Sequence, residues 1–365
     1  MTESVHVLLP AAVDDPRRPS GGNVYGRRAC AGLAALGWTV HEHVVTDLGT
    51  TLAGIPDGAL VLVDGLLTAP VPPGLDHRIP AAHTDRLRLV VLVHLPWGHA
   101  ASSLRGPERA LLAEVDGLVT TSRWTRDWLV GHYDLDPGRV HVARPGADPA
   151  PLAEGSASGD RLLSVGPLVP GKGHDVLVEA LALLGDLGWR WEHVGADDLD
   201  PGFARSVRER VDALGISDGV RFVGPLPPAV LAARYAASDL LVVPSRIETY
   251  GMVVGEALAR GLPVIASEVG GLPEALGTDG ELPGALVPAD DARALATEIA
   301  AWLREPGRRA RWRRVAAERR TGVAGWDSTA RALAAALHAI AGEPSAAGAR
   351  RDQQDERRPG TTGGP

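Results

Sequence analysis

Two glutamates, Glu248 and Glu256, stand eight positions apart on either side of a Tyr-Gly-Met sequence. Carboxylates accept hydrogen bonds from hydroxyl groups, and the unpaired amides at the start of a helix favour an anion. A helix that begins between the two glutamates would therefore offer an anion site flanked by two carboxylates. That combination suits a nucleotide sugar, which carries a diphosphate between two groups rich in hydroxyls.

The flanking sequence predicts the elements that position these residues. Residues 239–243 form an apolar run of strand length, and Gly261 and Pro263 are typical of a helix end. A second apolar run, 263–266, follows at once. The order strand, loop, helix, strand predicts a parallel βαβ unit. Its loop lies at the carboxyl end of a strand, which is where open α/β sheets bind ligands.

This segment resembles the E-x7-E signature of glycosyltransferase family 4, whose members are retaining enzymes with the GT-B fold. The match includes Tyr-Gly-Met between Glu248 and Glu256 and the sequence Ala-Arg-Gly-Leu-Pro-Val-Ile-Ala-Ser at 259–267. The resemblance extends over residues 1–341 and is strongest at 220–276. It implies an α/β fold of two Rossmann-like domains, each a doubly wound parallel sheet, that face each other across a cleft.

The resemblance also implies what the matched residues do. Glu248 would orient the transferred sugar in catalysis, and Glu256 would bind the ribose hydroxyls. The amides of Tyr250, Gly251 and Met252 would contact the β-phosphate or the sugar. The charge that develops on the leaving diphosphate is the main target for stabilisation. We therefore expect a retaining glycosyltransferase that moves a sugar from a UDP- or GDP-sugar to an acceptor that the sequence does not identify.

Lys172 is the only lysine of the chain, and every other fixed cationic side chain is an arginine. In so arginine-rich a composition, a single lysine indicates that a compact ammonium is needed at that position. Its surroundings, Gly-Pro-Leu-Val-Pro-Gly-Lys-Gly at 166–173, resemble the Gly-Arg-x4-Lys-Gly loop of the family. By that resemblance Lys172 would contact the donor diphosphate and act in catalysis. The alternative is a surface lysine without a ligand.

The same residues match a P-loop only superficially. Gly173 stands where a Ser or Thr hydroxyl would bind Mg²⁺, and Pro167 and Pro170 lack the N–H groups that such a loop donates. Pro167 also replaces an arginine that the family usually carries. A hydrogen bond to a charged group is worth about 1.5–3 kcal/mol, so its loss would weaken the donor site. We hypothesise that Arg246 or Arg144 supplies the missing cation.

Gly21 and Gly22 lie between the first predicted strand and the first predicted helix. Glycines there allow backbone amides to approach a phosphate. The pair resembles the N-terminal Gly-Gly loop of the family, although a simple turn would look the same. His94 follows an apolar strand and could donate to a sugar hydroxyl or a leaving oxygen, as a histidine often found here in the family would. The alternative is a structural histidine that caps strand carbonyls. Domain closure is expected to bring Gly22 and His94 onto the donor.

No metal and no cofactor are expected. The segment Asp197–Asp200 looks like a D-x-D metal motif, but Asp and Pro residues in this order are typical of a turn. In the family a lysine, backbone amides and a helix dipole hold the diphosphate instead. Two other functions stay open, a nucleotide-sugar epimerase on the same fold and a catalytically weak nucleotide-sugar-binding protein. The second is suggested by Pro167.

The composition limits the partners and the location. The 365 residues, 45% of them hydrophobic, suffice for two α/β domains, and a net charge of −8 argues against nucleic acid as a partner. The first residues lack a signal-peptide pattern, and no apolar run is long enough for a transmembrane segment, so we expect a cytoplasmic protein. The acceptor could be a sugar, a lipid or a small molecule. The basic run at 308–314 could contact a membrane peripherally, but a solvated helix face is the favoured interpretation.

Apolar runs of strand length alternate with helical patterns on both sides of a segment rich in Pro, Gly, Ala and Ser at 144–159. We therefore expect an N-terminal acceptor-side domain at 1–155 and a C-terminal nucleotide-sugar-binding domain at 156–325. An amphipathic helix at 326–341 would, as in the family, cross back to the first domain. Residues 342–365 have no core-forming side chains, which predicts a disordered tail.

Overall fold

The computed structural model describes residues 3–15, 20–68, 79, 81–277 and 279–342. These residues form two six-stranded sheets in which every strand pair is parallel. Each sheet has a separate apolar cluster on each of its two faces, where helices pack. The predicted α/β architecture of the GT-B type is therefore confirmed. The tail predicted to be disordered lies, apart from its first residue, outside the described residues.

The first sheet has the strand order β2-β1-β3-β4-β5-β6. Its strands are β1 (Ser4–Pro10), β2 (Thr39–Val45), β3 (Leu60–Asp64), β4 (Arg88–Val93), β5 (Gly117–Thr120) and β6 (Val140–Val142). The helices of this part are α1 (Gly21–Ala35), α2 (Leu48–Ala53), α3 (Ala81–Thr84), α4 (Trp97–Ala100), α5 (Arg105–Glu114) and α6 (Arg123–Tyr133). β3 and β5 are buried along their whole length, as expected for parallel strands covered on both faces.

The second sheet has the strand order β12-β11-β10-β7-β8-β9. Its strands are β7 (Arg161–Val165), β8 (Arg190–Val194), β9 (Val220–Gly224), β10 (Leu240–Val243), β11 (Val264–Ser267) and β12 (Gly284–Val287). The helices are α7 (His174–Ala182), α8 (Pro201–Ala213), α9 (Pro228–Ala237), α10 (Met252–Leu258), α11 (Leu272–Leu276), α12 (Ala292–Arg304), α13 (Pro306–Arg319) and α14 (Trp326–Gly342). Because β7 and β10 are neighbours, the loops that follow them lie side by side at one edge of the sheet.

The first helix begins earlier than its sequence predicted. The Ser20 hydroxyl caps α1 by accepting a hydrogen bond from the amide of Asn23 at 3.1 Å. Gly21 and Gly22 therefore form the first turn of α1 and not a loop before it. Their amides are among the donors that a helix start leaves without an intrahelical partner.

The last described helix, α14, packs on the first sheet although it follows the second sheet in sequence. Leu333 and Leu337 are buried in the same apolar cluster as residues of β1 and α1. A Cβ at Gly32 of α1 would lie 2.6 Å from the Cβ of Ala330, so glycine is needed for the two helices to approach this closely. The helix thereby joins the end of the described chain to the first sheet.

Candidate active site

The loop between β10 and α10 carries Glu248, and α10 carries Glu256. Gly251, immediately before the helix, has a φ of 91°, and a Cβ there would lie 2.6 Å from the side chain of Leu272. Glycine is required at this turn because of both the left-handed backbone and the lack of space. The turn places the two glutamates on either side of the helix start, at the carboxyl edge of the second sheet.

Lys172 lies directly beside this loop. Its Nζ is 2.6 Å from Oε2 of Glu248, although 76 residues separate the two in sequence. Gly173 has a φ of 66°, and a Cβ there would lie 2.0 Å from the carbonyl oxygen of Pro244. The lysine loop and the glutamate loop are therefore in direct backbone contact. Gly173 makes that contact possible, which explains its presence where a P-loop would have a hydroxyl.

Arg246 is held by carboxylates of its own domain. It donates to Asp175 at 2.7 and 2.8 Å, to Asp290 at 2.5 Å and to the backbone oxygen of Pro170 at 2.7 Å. The hydrogen bonds to Asp175 are the main reason why the pKa of this guanidinium is raised. That Arg246 replaces the arginine absent at Pro167 stays a prediction, and a donor phosphate would have to compete with these two carboxylates for its charge. The contacts that the structure shows hold the lysine loop in place.

Glu256 of α10 is partly exposed. Its Oε2 accepts a hydrogen bond at 2.8 Å from the hydroxyl of Tyr235, a fully buried side chain. Burial raises the pKa of Glu256, whereas this hydrogen bond and the nearby charge of Arg260 act to lower it. Oε1 has no hydrogen-bond partner among the described residues, so it could accept one from a ligand hydroxyl.

The two domains meet where α1 and α10 begin. A Cβ at Gly21 would lie 3.1 Å from Sδ of Met252, and a Cβ at Gly22 would lie 3.4 Å from the ring of His94. The absence of a side chain at Gly21 allows α1 to approach α10, and its absence at Gly22 leaves room for the His94 ring within the first domain. The structure thus brings Gly21, Gly22 and His94 of the first domain to the start of α10, beside the loop that carries Glu248.

Two carboxylates that no sequence motif indicated contribute to this cleft. Asp64 is buried, and its Oδ2 is 3.2 Å from Nε2 of His94, so that ring nitrogen bonds to a carboxylate and does not cap a strand carbonyl. Glu274 of α11 accepts a hydrogen bond at 2.8 Å from the amide of Arg123 in the first domain, and its other oxygen is 3.6 Å from Arg144. The position of Asp64 at the end of a strand was a usable signal. The sequence held no comparable signal for Glu274.

The D-x-D-like segment serves a helix start. Asp200 caps α8 by accepting from the amide of Phe203 at 2.9 Å, and Asp197 pairs with Arg208. Within the described ranges, no group of three or more His, Cys, Asp or Glu side chains is arranged to hold a metal ion. None of the described helices is long and apolar enough to cross a bilayer.

The basic run at 308–314 belongs to α13, and several of its arginines are neutralised by acidic side chains. Three of these ion pairs are Arg308 with Glu298, Arg313 with Asp239, and Arg314 with Glu318. This pairing leaves less free positive charge than the sequence suggests, which weakens the case for attraction to an anionic membrane.

Two family models match the chain. The one described as Glycosyl transferases group 1 matches residues 156–319, and the one described as Glycosyltransferase Family 4 matches residues 67–151. Similar curated proteins include the D-inositol 3-phosphate glycosyltransferase of Salinispora tropica, 36% identical over 256 residues, which are 62% of this chain and 51% of that protein. The protein of the same name from Geodermatophilus obscurus is 35% identical over 263 residues, 67% and 57% of the two chains. The chain thus spans just over half the length of these relatives.

Solved structures share the architecture. Sucrose-phosphate synthase from Thermosynechococcus elongatus matches with a TM-score of 0.74 at 21% identity, covering 92% of this chain and 98% of that one. Anabaena HepE in complex with UDP-glucose matches with a TM-score of 0.71 at 17% identity, covering 92% and 99%. At these identities the likeness concerns the fold.

Proposed function

Since the chain belongs to glycosyltransferase family 4, we propose that it is a retaining enzyme that moves a sugar from a nucleotide diphosphate to a hydroxyl group of an acceptor. The observation that supports this most directly is the 2.6 Å contact between Lys172 and Glu248. It places an ammonium suited to a diphosphate and a carboxylate suited to a sugar at one point. That point adjoins the helix start where Gly21 approaches Met252.

In the protein without donor, Glu248 balances the charge of Lys172. A donor diphosphate would compete for the ammonium and free Glu248 to accept a hydrogen bond from a sugar hydroxyl. In the transfer, the bond from the anomeric carbon to the phosphate oxygen breaks, a bond from the acceptor oxygen to that carbon forms, and the acceptor proton passes to the phosphate. Lys172 would stabilise the charge that develops on the leaving diphosphate, while Glu256 would hold the ribose through Oε1.

For the donor we propose a UDP-sugar, with a GDP-sugar as the alternative. HepE, which shares the fold, was solved with UDP and with UDP-glucose, and this supports the choice. The name of the curated relatives makes D-inositol 3-phosphate the first acceptor to try, beside other sugars and lipids. We further propose that the reaction takes place in the cytoplasm and needs no metal or cofactor, because Lys172 supplies the cation for the diphosphate.

Donor binding is tested by thermal shift with a panel of nucleotide sugars. At a donor concentration of 100 times Kd, donor binding should raise the free energy of unfolding by about 2.7 kcal/mol, a gain in stability that the thermal shift reports. We expect Lys172→Ala and Glu256→Ala to remain folded and to lose this gain. Transfer is then followed as release of nucleoside diphosphate in the presence of each acceptor, with and without a metal chelator.

Matched control variants remove similar charges away from the cleft. Arg210→Ala deletes a cation that pairs with Glu179, and Glu298→Ala deletes a carboxylate of α12 that pairs with Arg308. Both should keep the full donor-induced gain. The proposal is wrong if no nucleotide sugar stabilises the protein, or if the Lys172→Ala variant is stabilised as much as the parent.

A catalytically weak nucleotide-sugar-binding protein is the second candidate. It is favoured by Pro167, where the family's arginine is missing, and by the balanced charge of Arg246. Stabilisation by a donor without release of nucleoside diphosphate across the acceptor panel would favour this candidate. Conversion of the donor sugar in the absence of any acceptor would instead indicate an epimerase.

A further inference from the structure

Asp64 and His94 form a carboxylate–imidazole pair at the edge of the first sheet. Asp64 ends β3, His94 follows β4, and the two strands are parallel neighbours. Oδ2 of Asp64 lies 3.2 Å from Nε2 of His94, and Oδ1 accepts a hydrogen bond at 2.9 Å from the amide of Leu66. Both oxygens of this buried carboxylate are therefore engaged, each with a different partner.

The helix α1 fixes the orientation of the imidazole. The ring packs edge-on against Tyr25, with 5.5 Å between the ring centroids, and a Cβ at Gly22 would lie 3.4 Å from it. A Cβ at Gly26, one turn further, would lie 4.0 Å from Oδ2 of Asp64. Only 13% of the His94 side chain is exposed, so the ring has little freedom to rotate.

We propose that Asp64 is a positioning residue that keeps an N–H on Nε2 of His94 and so leaves Nδ1 as a hydrogen-bond acceptor for a substrate hydroxyl. Oδ2 of Asp64 accepts when Nε2 donates to it, and in that tautomer the other ring nitrogen keeps its lone pair. Nδ1 has no hydrogen-bond partner in the described part of the chain. This inference rests on the proposed function, and it reverses the donor role expected of His94 from the sequence.

The amide of Leu66 makes the inference testable with one isosteric change. In Asp64→Asn, the single oxygen of the new side chain is needed by the Leu66 N–H, so the NH₂ group faces Nε2 of His94. Two donors cannot face each other, and the proton of the imidazole should move to Nδ1. The variant thus keeps the shape of the site but turns Nδ1 from an acceptor into a donor.

The tautomer is read by ¹⁵N NMR of histidine-labelled protein without substrate, with the His94 signals assigned from a His94→Gln sample. We expect Nε2–H in the parent protein and Nδ1–H in Asp64→Asn. With donor and acceptor present, kcat of Asp64→Asn should fall about tenfold or more, the equivalent of one hydrogen bond, while the donor Kd changes less than about twofold. Nδ1–H in the parent, or an unchanged kcat in a variant whose tautomer has moved, would overturn the inference.

Asp116→Asn is the matched control. Asp116 is also buried in the first domain, and its Oδ2 accepts from the amide of Leu89 at 2.8 Å, near the amino end of β4 and away from the cleft. This variant should lose stability without any change in the His94 tautomer or in kcat. Should no nucleotide sugar bind or react, the proposed function fails, whereas the substrate-free spectra still decide whether Asp64 sets the tautomer.

Discussion

The hydroxyl of Tyr235 donates a hydrogen bond to Oε2 of Glu256 at 2.8 Å. The guanidinium of Arg260 lies over the Tyr235 ring, 5.0 Å from its centroid, and donates to the backbone oxygen of Glu256 at 2.8 Å. Burial raises the pKa of Glu256, and these two neighbours oppose that rise. Tyr235 therefore helps to keep ionised the carboxylate that the proposed function assigns to ribose.

Tyr235→Phe should make donor binding more sensitive to acid. Without the hydroxyl, the pKa of Glu256 rises further, so the carboxyl becomes protonated at a higher pH and accepts less well from ribose. The loss of donor affinity on acidification should therefore begin at a higher pH in Tyr235→Phe than in the parent. Calorimetric titration of the donor between about pH 5.5 and about pH 8 measures this.

Tyr133→Phe provides the comparison for that experiment. The Tyr133 hydroxyl also donates to a buried carboxylate, Glu108, at 2.5 Å, but this pair lies in the first domain. Its loss should leave the pH dependence of donor affinity unchanged. Equal pH profiles for the parent and Tyr235→Phe would show that Tyr235 does not control the ionisation of Glu256.

Arg246→Ala should lower the stability of the second domain more than it lowers donor affinity. The change removes hydrogen bonds to Asp175, Asp290 and the backbone of Pro170, and a single charge-assisted bond contributes about 1.5–3 kcal/mol. Urea unfolding measures the loss of stability, and calorimetry the donor Kd. Undiminished stability together with a lost donor site would mean that Arg246 is the cation that replaces the arginine missing at Pro167.

The sequence predicted most strands because long apolar runs alternate with helical patterns. The runs at 239–243 and 263–266 were expected to be strands and are observed as β10, Leu240–Val243, and β11, Val264–Ser267. β6 was missed because its three residues are too few for a recognisable pattern. β12 was missed because Pro283, Gly284 and Pro288 at its two ends are typical of a turn. Strands this short form because a neighbouring strand supplies their hydrogen-bond partners. That neighbour is distant in sequence, so a local pattern does not reveal it.

The candidate site was predictable residue by residue but not as an arrangement. Lys172 and Glu248 each stood out through their own surroundings in the sequence. Their contact depends on β7 and β10 being adjacent, which the strand order decides. Asp64 and Glu274 are single carboxylates whose partners are distant in sequence, so no spacing pattern indicated their contacts. The close approach of Gly21 to Met252 likewise depends on how the two domains meet.

His193 should make the protein sensitive to acid unfolding. It is buried, it bonds to the carbonyl of Gly166 at 2.9 Å, and burial lowers its pKa to about 4. The unfolded chain binds the proton with a pKa of about 6.5, so stability is present at neutral pH and is lost as pH falls from about 6.5 to about 4. Between about pH 7.5 and about pH 5, His193 alone should lower the free energy of unfolding by about 2 kcal/mol. Urea unfolding at each pH measures this.

His193→Gln separates this effect from general acid sensitivity. The glutamine amide can still donate to Gly166 but does not titrate, so the fall in stability between the two pH values should shrink by about the same 2 kcal/mol. His132→Gln, at an exposed histidine of α6, should leave the fall as large as in the parent. An undiminished fall in His193→Gln would contradict the assignment.

Glu274 links the two domains. One carboxylate oxygen accepts from the amide of Arg123 at 2.8 Å and lies 3.4 Å from that of Trp124, at the start of α6, and the other oxygen is 3.6 Å from Arg144. A carboxylate at the amino end of a helix is favoured by the unpaired amides and by the helix dipole. The contact can exist only while the domains are close together, so it stabilises the closed cleft.

Glu274→Ala should therefore shift the protein without donor towards an open cleft. The loss of one charge-assisted hydrogen bond, about 1.5–3 kcal/mol, would change the ratio of open to closed molecules about tenfold or more. Small-angle X-ray scattering should show a larger radius of gyration than in the parent, and saturating donor should restore the compact form. Glu298→Ala, which breaks an ion pair between α12 and α13, should leave the radius unchanged. If Glu274→Ala scatters like the parent without donor, other contacts keep the cleft closed. The contact between Gly21 and Met252 is then the next one to change by mutation.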